Sequence, residues 1–352
     1  MATKNETPAL IAALLVTVAL VGGGLWWLNR SGTLSLGGLT GQSPQTGQPG
    51  TSSDETLPAS VASFAEVSNV PQGLFNYGGS TTWAPMRGSV DSQIQTVWPN
   101  FELRYVNPTG RPPSSGVGIE MLINNQLSFA QSSRSLKGEE YEQAQQRGFG
   151  LQEIPVALEG LAIAVHPELQ LSGLTLDQIR GIYTGEITNW QQVGGPNLPI
   201  QPYSRTPDGG TVEFFIDAVL GGSEFSPSVQ FVDNTTAALR EISNNPGSIY
   251  YASAPEVVGQ CTVRPLPVGQ RSNELITPYR EPYVPPENCP SQRNQSNVEA
   301  FRNGQYPLTR RLFVIVKQNG QNDQLAGEAY AKLLLSNQGQ TLLNQAGFVP
   351  IR

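Results

Sequence analysis

The chain has 352 residues, enough for two ordinary domains each with its own core. Its 21 Lys and Arg against 28 Asp and Glu leave a net charge of −7, which excludes the basic stripe that a nucleic-acid surface requires. Only 14% of residues are charged, so much of the polarity must come from Gly, Ser, Thr, Asn and Gln, a composition suited to an exported, loop-rich α/β protein.

From Ala9 to Leu28 the sequence "ALIAALLVTVALVGGGLWWL" carries no charge and is long enough for a helix to cross a bilayer. No Ala-x-Ala cleavage site follows and no cysteine is placed for lipidation, so residues 1–30 are expected to be an uncleaved anchor, with a cleaved signal as the alternative. Residues 31–65 are rich in Gly, Ser, Thr, Gln and Pro and read as a flexible linker. The folded part is expected to begin between residues 58 and 70.

Beyond the linker, "FELRYV" is strand-like, "GVGIEMLINN" helical by its apolar spacing, and "LSFAQSS" a further short strand. "LEGLAIAVHP" reads as a buried strand, "TLDQIRGIYTGEI" as a helix capped by Thr175, and "PIQPYSR" as a strand. This alternation predicts an α/β fold with largely parallel sheets. Cys261 and Cys289 form an even count in a chain with an export segment, which predicts one structural disulfide rather than two free thiols.

Three polar turns share one form. "GGSTTWAP", "PPSSGVGIEM" and "PDGGTVEFF" each set small hydroxyl residues or glycines before a predicted helix, where backbone N–H groups lack partners, and "QSSRS" adds a fourth donor-rich turn. Singly, each reads as an ordinary cap. Together with Arg205 they can surround a small anion, the guanidinium supplying charge and the hydroxyls neutral donors.

The pieces "GGSTT", "SSGVGIEML", "AQSSRSL", "LEGLAIAVHPE", "LTLDQIRGIYTGEITNW", "YSRTPDGGTVEFF" and "YPLTRRLFVIV" make the sequence resemble the phosphate-binding proteins of ABC transporters, in their cyanobacterial branch, from about residue 70 to the C-terminus. That resemblance implies a two-lobe periplasmic-binding-protein fold of type II. Each lobe would be a mixed β-sheet flanked by helices, with the ligand in the cleft between them. Lobe I is expected over 66–155 and 260–352, and lobe II over 156–259, which places the disulfide in lobe I near the hinge. By position, the resemblance implies phosphate contacts from Thr82 and Trp83 with Thr81 adjacent, from Ser114 or Ser115, from Ser132, Ser133 and Arg134, and from Arg205, Gly209, Gly210 and Thr211.

In two places the sequence departs from the family. Gly209 stands for the usual serine of the Arg-x-x-x-Ser-Gly-Thr loop, which removes a hydroxyl donor. Ser133 stands where some relatives carry an aspartate that accepts the proton of hydrogen phosphate, a proton that sulfate lacks. The implied function is capture of inorganic phosphate and delivery to the permease subunits of an ABC importer. The protein would be a periplasmic monomer tethered to the membrane, without cofactor or metal. Alternatives are a binding protein for another oxyanion such as sulfate, or an anchored phosphate sensor. An anchored hydrolase has least support: the chain has no Gly-x-Ser-x-Gly, no nucleotide fingerprint and one histidine, His166, placed at a strand end.

Overall fold

A computed structural model describes residues 61–352 except Asp208. The expected anchor and most of the linker lie outside the described residues. Among those described, no helix is long and apolar enough to cross a membrane. Residues 61–65, assigned to the linker on composition, already belong to the packed body: Phe64 is fully buried, and its carbonyl accepts a hydrogen bond from Trp98 Nε1 at 2.8 Å.

The chain runs β1 (Gly73–Gly79), α1 (Ala84–Val97), β2 (Phe101–Tyr105), α2 (Ser115–Ile123), β3 (Phe129–Ser132), α3 (Gly138–Gln146) and then the long β4 (Gly150–Val165). There follow β5 (Leu174–Thr175), α4 (Leu176–Thr184), β6 (Gln201–Ser204), α5 (Gly210–Phe215), β7 (Gln230–Phe231), α6 (Thr235–Asn244) and β8 (Ser248–Ser253). The last part holds α7 (Ala254–Val257), β9 (Arg264–Leu266), β10 (Val268–Gly269), α8 (Val298–Arg302), β11 (Thr309–Gln318), α9 (Asn322–Leu335), α10 (Asn337–Gln345) and β12 (Val349–Pro350).

The main sheet has the order β2-β1-β3-β11-β4-β8-β6-β7, with β9 and β12 also paired to β4. It is mixed: β1 runs parallel to β2 and β3, and β6 parallel to β7 and β8, whereas β11 is antiparallel to both β3 and β4. Helices flank this sheet, as in a periplasmic-binding-protein fold. The Thr175 cap forms as read, its Oγ1 accepting from Gln178 N at 3.2 Å while the Gln178 side chain accepts from Thr175 N at 2.8 Å.

β4 is longer than its sequence suggests, because Pro155 argues against a central strand. The pairing with β11 shifts register between Leu312 and Phe313, opposite Ala157 and Pro155, and this bulge takes up the proline without ending the strand.

Two of three sets of buried apolar side chains lie towards the two ends of β4, and the third, with Ile119, Leu122, Ala130 and Ile315, shares β3 and β11 with the first. Phe75, Trp83, Phe129, Ala157, Leu312, Val314 and Tyr330 pack in the first core; Leu161, Ile163, Trp190, Phe215, Tyr251, Leu266 and Phe301 pack in the second. The packing around the boundary expected at 259/260 is continuous with the second core. Residues 260–308 supply Val263, Leu266, Val268, Phe301, Tyr306 and Leu308 to the second core, because β9 adds to the β4 edge at Ile163–Val165. The chain returns to the first core only along β11. Cys261 and Cys289 are bonded within this same stretch, with Cα atoms 5.6 Å apart.

Candidate functional site

Where the cores meet, small hydroxyl side chains from separate turns converge. The segment after β1 brings Ser80, Thr81 and Thr82, the start of α2 brings Ser115, the turn after β3 brings Ser133, and the start of α5 brings Gly210 and Thr211. Ser133 Oγ lies 3.0 Å from Ser80 Oγ and 3.2 Å from Ser115 Oγ, and the Ser133 N–H donates to Ser115 Oγ at 3.1 Å. Thr82 Oγ1 and Thr211 Oγ1, carried by opposite cores, are 3.2 Å apart.

These side chains are closed to solvent: Ser80, Thr82, Ser115, Ser133 and Thr211 are each no more than 3% exposed. Gly210 belongs to the same cluster. A Cβ at that position would lie 2.3 Å from Ser115 Oγ and 2.6 Å from Ser133 Oγ, so only glycine lets the α5 turn approach those serines. Each hydroxyl has one hydrogen and two lone pairs, so the cluster can turn its donors toward an anion or pair internally.

Arg205, at the end of β6, reaches across to the first core, where its Nη1 donates to Thr81 Oγ1 at 3.3 Å. Behind it, burial raises the Glu256 carboxyl above its ordinary value against the opposing charge of Arg205. The same charge opposes the upward shift that burial gives Tyr250 and Tyr251.

Other expected site residues fall outside the cluster. Ser114 caps α2 by accepting from Val117 N at 3.2 Å. Ser132 Oγ donates to the Arg134 carbonyl at 2.7 Å, a local turn contact. Trp83 fills the first core, and its indole N–H donates to the Ser132 carbonyl at 3.2 Å, which holds the turn bearing Ser133. Gly209 caps α5 with open space around it, the nearest atom to an added Cβ being Val212 Cγ2 at 4.0 Å.

The donors of Arg134, for which either an anion contact or an ion pair was open, face carboxylates: Nε to Glu213 Oε2 at 2.7 Å, Nη2 to Glu140 Oε1 at 2.7 Å and Nη1 to Glu140 Oε2 at 3.0 Å. With those partners already in place, the guanidinium is an ion-pair member and not a free donor to the cluster.

One residue of the site was not read from the sequence. Arg310, on β11, is buried and paired with Glu159, its direct cross-strand neighbour on β4. Its Nη1 donates to the Gly210 carbonyl at 2.7 Å, and its Nη2 to Thr82 Oγ1 at 3.1 Å and Thr211 Oγ1 at 3.0 Å. Glu159 also accepts from Ser253 Oγ. The signal that could have found the pair is Glu159 as the one charge within "LEGLAIAV", and the two arginines that open the apolar run of "TRRLFVIV", of which Arg310 is the buried one.

Residues 47–338 match the profile of the PBP superfamily domain. Protein SphX of Synechococcus elongatus is 24% identical over 286 residues, 79% of this chain and 77% of the relative. The phosphate-binding protein PstS of Pseudomonas aeruginosa is 24% identical over 290 residues, 78% of this chain and 81% of its own. Among solved structures, a putative phosphate ABC transporter substrate-binding protein from Clostridium perfringens, with bound phosphate, superposes with a TM-score of 0.63 at 24% identity, covering 80% of this chain and all of its own. An ABC-type phosphate transport receptor from Vibrio cholerae gives 0.59 at 21% identity over 78% of this chain and 99% of its own. At these identities the structural likeness establishes the fold.

Proposed function

Because the chain belongs to the PBP superfamily, we propose that it captures inorganic phosphate in the hydroxyl cluster between its two cores and hands it to the permease subunits of an ABC importer. The carrying observation is the contact of Thr82 with Thr211, 3.2 Å apart from opposite cores and sealed from solvent beside Ser115, Ser133 and Gly210. An anion can enter such a cluster only when the cores separate, and it can then be held by both when they close. Thr82, Ser115, Ser133, Gly210 and Thr211 act as neutral donors; Arg205 supplies the charge; Thr81 orients Arg205.

On this reading the protein is a binding protein and not an enzyme, working as a periplasmic monomer tethered through Ala9–Leu28. The supporting relatives carry phosphate-binding names over most of their length. A sulfate-binding alternative rests on one observation: among the described residues, Ser133 Oγ meets the hydroxyls of Ser80 and Ser115, neutral groups where some relatives place a carboxylate to accept an acidic proton.

Calorimetric titration with phosphate, sulfate and arsenate tests the reading. Phosphate and arsenate are expected to bind and Arg205→Ala to weaken both at least tenfold, since a charged hydrogen bond contributes about 1.5–3 kcal/mol. Sulfate binding alone, or an Arg205→Ala affinity within about threefold of the parent, contradicts it.

A further inference from the structure

The Arg310–Glu159 pair occupies the place where both connecting strands pass between the cores. On β4, Ala157 belongs to the first core and Leu161 to the second; Leu308, just before β11, belongs to the second and Leu312, on β11, to the first. Glu159 and Arg310 stand between those residues and directly opposite each other. Taking two charges out of water is costly unless each is fully partnered, and this pair is. Arg310 bonds Glu159, Gly210, Thr82 and Thr211, and the Phe214 ring lies 5.2 Å from its guanidinium carbon.

Resting on the phosphate-binding reading, we infer that Arg310 is a positioning residue of the anion site, held at the crossing by Glu159, that turns the hydroxyl hydrogens of Thr82 and Thr211 toward the bound anion. Both threonine oxygens accept from the same guanidinium nitrogen, so a lone pair on each is occupied and each hydrogen must point elsewhere. In the closed cluster one of them bridges the two threonines. Facing an oxyanion, both are free to donate to it. Arg310 also satisfies the Gly210 carbonyl, an acceptor that would otherwise compete for those hydrogens and present negative charge to the ligand. Because Glu159 neutralises it, Arg310 acts through direction and not through net attraction, the opposite division of labour from Arg205.

The test is phosphate titration of the full chain, the Arg310→Met/Glu159→Gln variant, the Thr82→Val/Thr211→Val variant, and the four substitutions combined. Removing both charges together leaves no orphaned ion. The expected result is at least a tenfold loss in the charge-free variant, a comparable loss in the valine variant, and less than a further threefold loss on combining them, because both changes remove the same oriented donors. Should the charge-free variant fail to fold, Arg310→Lys serves in its place. It keeps the charge opposite Glu159 but lacks the fork that reaches four partners, and, provided it folds by its unfolding transition, it is likewise expected to lose tenfold. Affinity within threefold of the parent in the variant used, or losses that simply multiply in the combined protein, overturns the inference. A parent chain that binds no phosphate overturns the functional reading and this inference with it; a parent that binds, with Arg310 dispensable, overturns this inference alone.

Discussion

Arg134 Nε donates to Glu213 Oε2 at 2.7 Å, and this contact ties the turn after β3 to the helix that begins at Gly210. Arg134 also holds Glu140 from its own side, while Lys137 Nζ approaches Glu213 at 3.6 Å. Burial alone would lower the Arg134 guanidinium, but the hydrogen bond to Glu140 and the charges of Glu213 and Glu140 hold it above its ordinary range. Glu213→Ala leaves Arg134 paired with Glu140 and removes the contacts that Arg134 and Lys137 make to the helix of the other core. For a part-exposed pair worth about 1 kcal/mol, phosphate affinity is expected to fall about fivefold, mainly through faster release. Stopped-flow displacement measures this, and an unchanged release rate removes Arg134 from the closing contact.

Gly209 and Gly210 are adjacent yet differ sharply in tolerance. Alanine at Gly210 would drive its Cβ to 2.3 Å from Ser115 Oγ, forcing the serines out of place, and is expected to lower phosphate affinity at least a hundredfold. At Gly209 an added Cβ meets nothing nearer than 4.0 Å beyond its chain neighbours, and the backbone is extended as any residue accepts, so serine is tolerated there. Its affinity is expected to equal or exceed the parent's. Equal losses at both positions, read by calorimetry, would show that the turn does not approach the serines as described.

Asp91 offers a pH test within the first core. Its carboxylate accepts from Tyr330 OH at 2.9 Å and from Tyr77 OH, and burial pushes its pKa up to about 6 against those bonds and the Arg87 charge. A carboxyl raised in the folded state stabilises the fold most below its unfolded pKa and loses that contribution as pH rises through the folded value. Between pH 4 and 7 the parent is therefore expected to lose roughly 3 kcal/mol relative to Asp91→Asn, from a shift of about two units. Urea unfolding of both proteins across that range measures the difference, and a constant gap would refute it.

The Cys261–Cys289 bond closes a loop of sequence separation 28 away from the hydroxyl cluster. Replacing both cysteines by serine is expected to lower stability by about 2–4 kcal/mol while phosphate affinity stays within threefold. A large affinity loss in the folded variant would give the bond a role at the site.

Local signals carried most of the legible structure. The helix at Leu176 shows its Thr175 cap, and the turns at Thr82, Ser115 and Thr211 show the small residues that later meet. Pairing between distant strands was not legible. Arg310 and Glu159 are separated by 151 positions, so only the register of β11 on β4 reveals that they face each other. The same ignorance of register hid the length of β4, where a bulge absorbs Pro155, and the addition of β9 to β4, which nothing local announces. The partners of Arg134 were not legible for a different reason: its two carboxylates lie on α3 and α5, one close in sequence and one on the opposite core.

The most direct test is a crystal structure grown with arsenate, whose arsenic atom is located by its anomalous scattering. The account places that atom between the cores, its oxygens within about 3 Å of the Thr82, Ser115, Ser133 and Thr211 hydroxyls and of the Arg205 guanidinium. Arsenic bound elsewhere, with Thr82 and Thr211 still in contact, would contradict it.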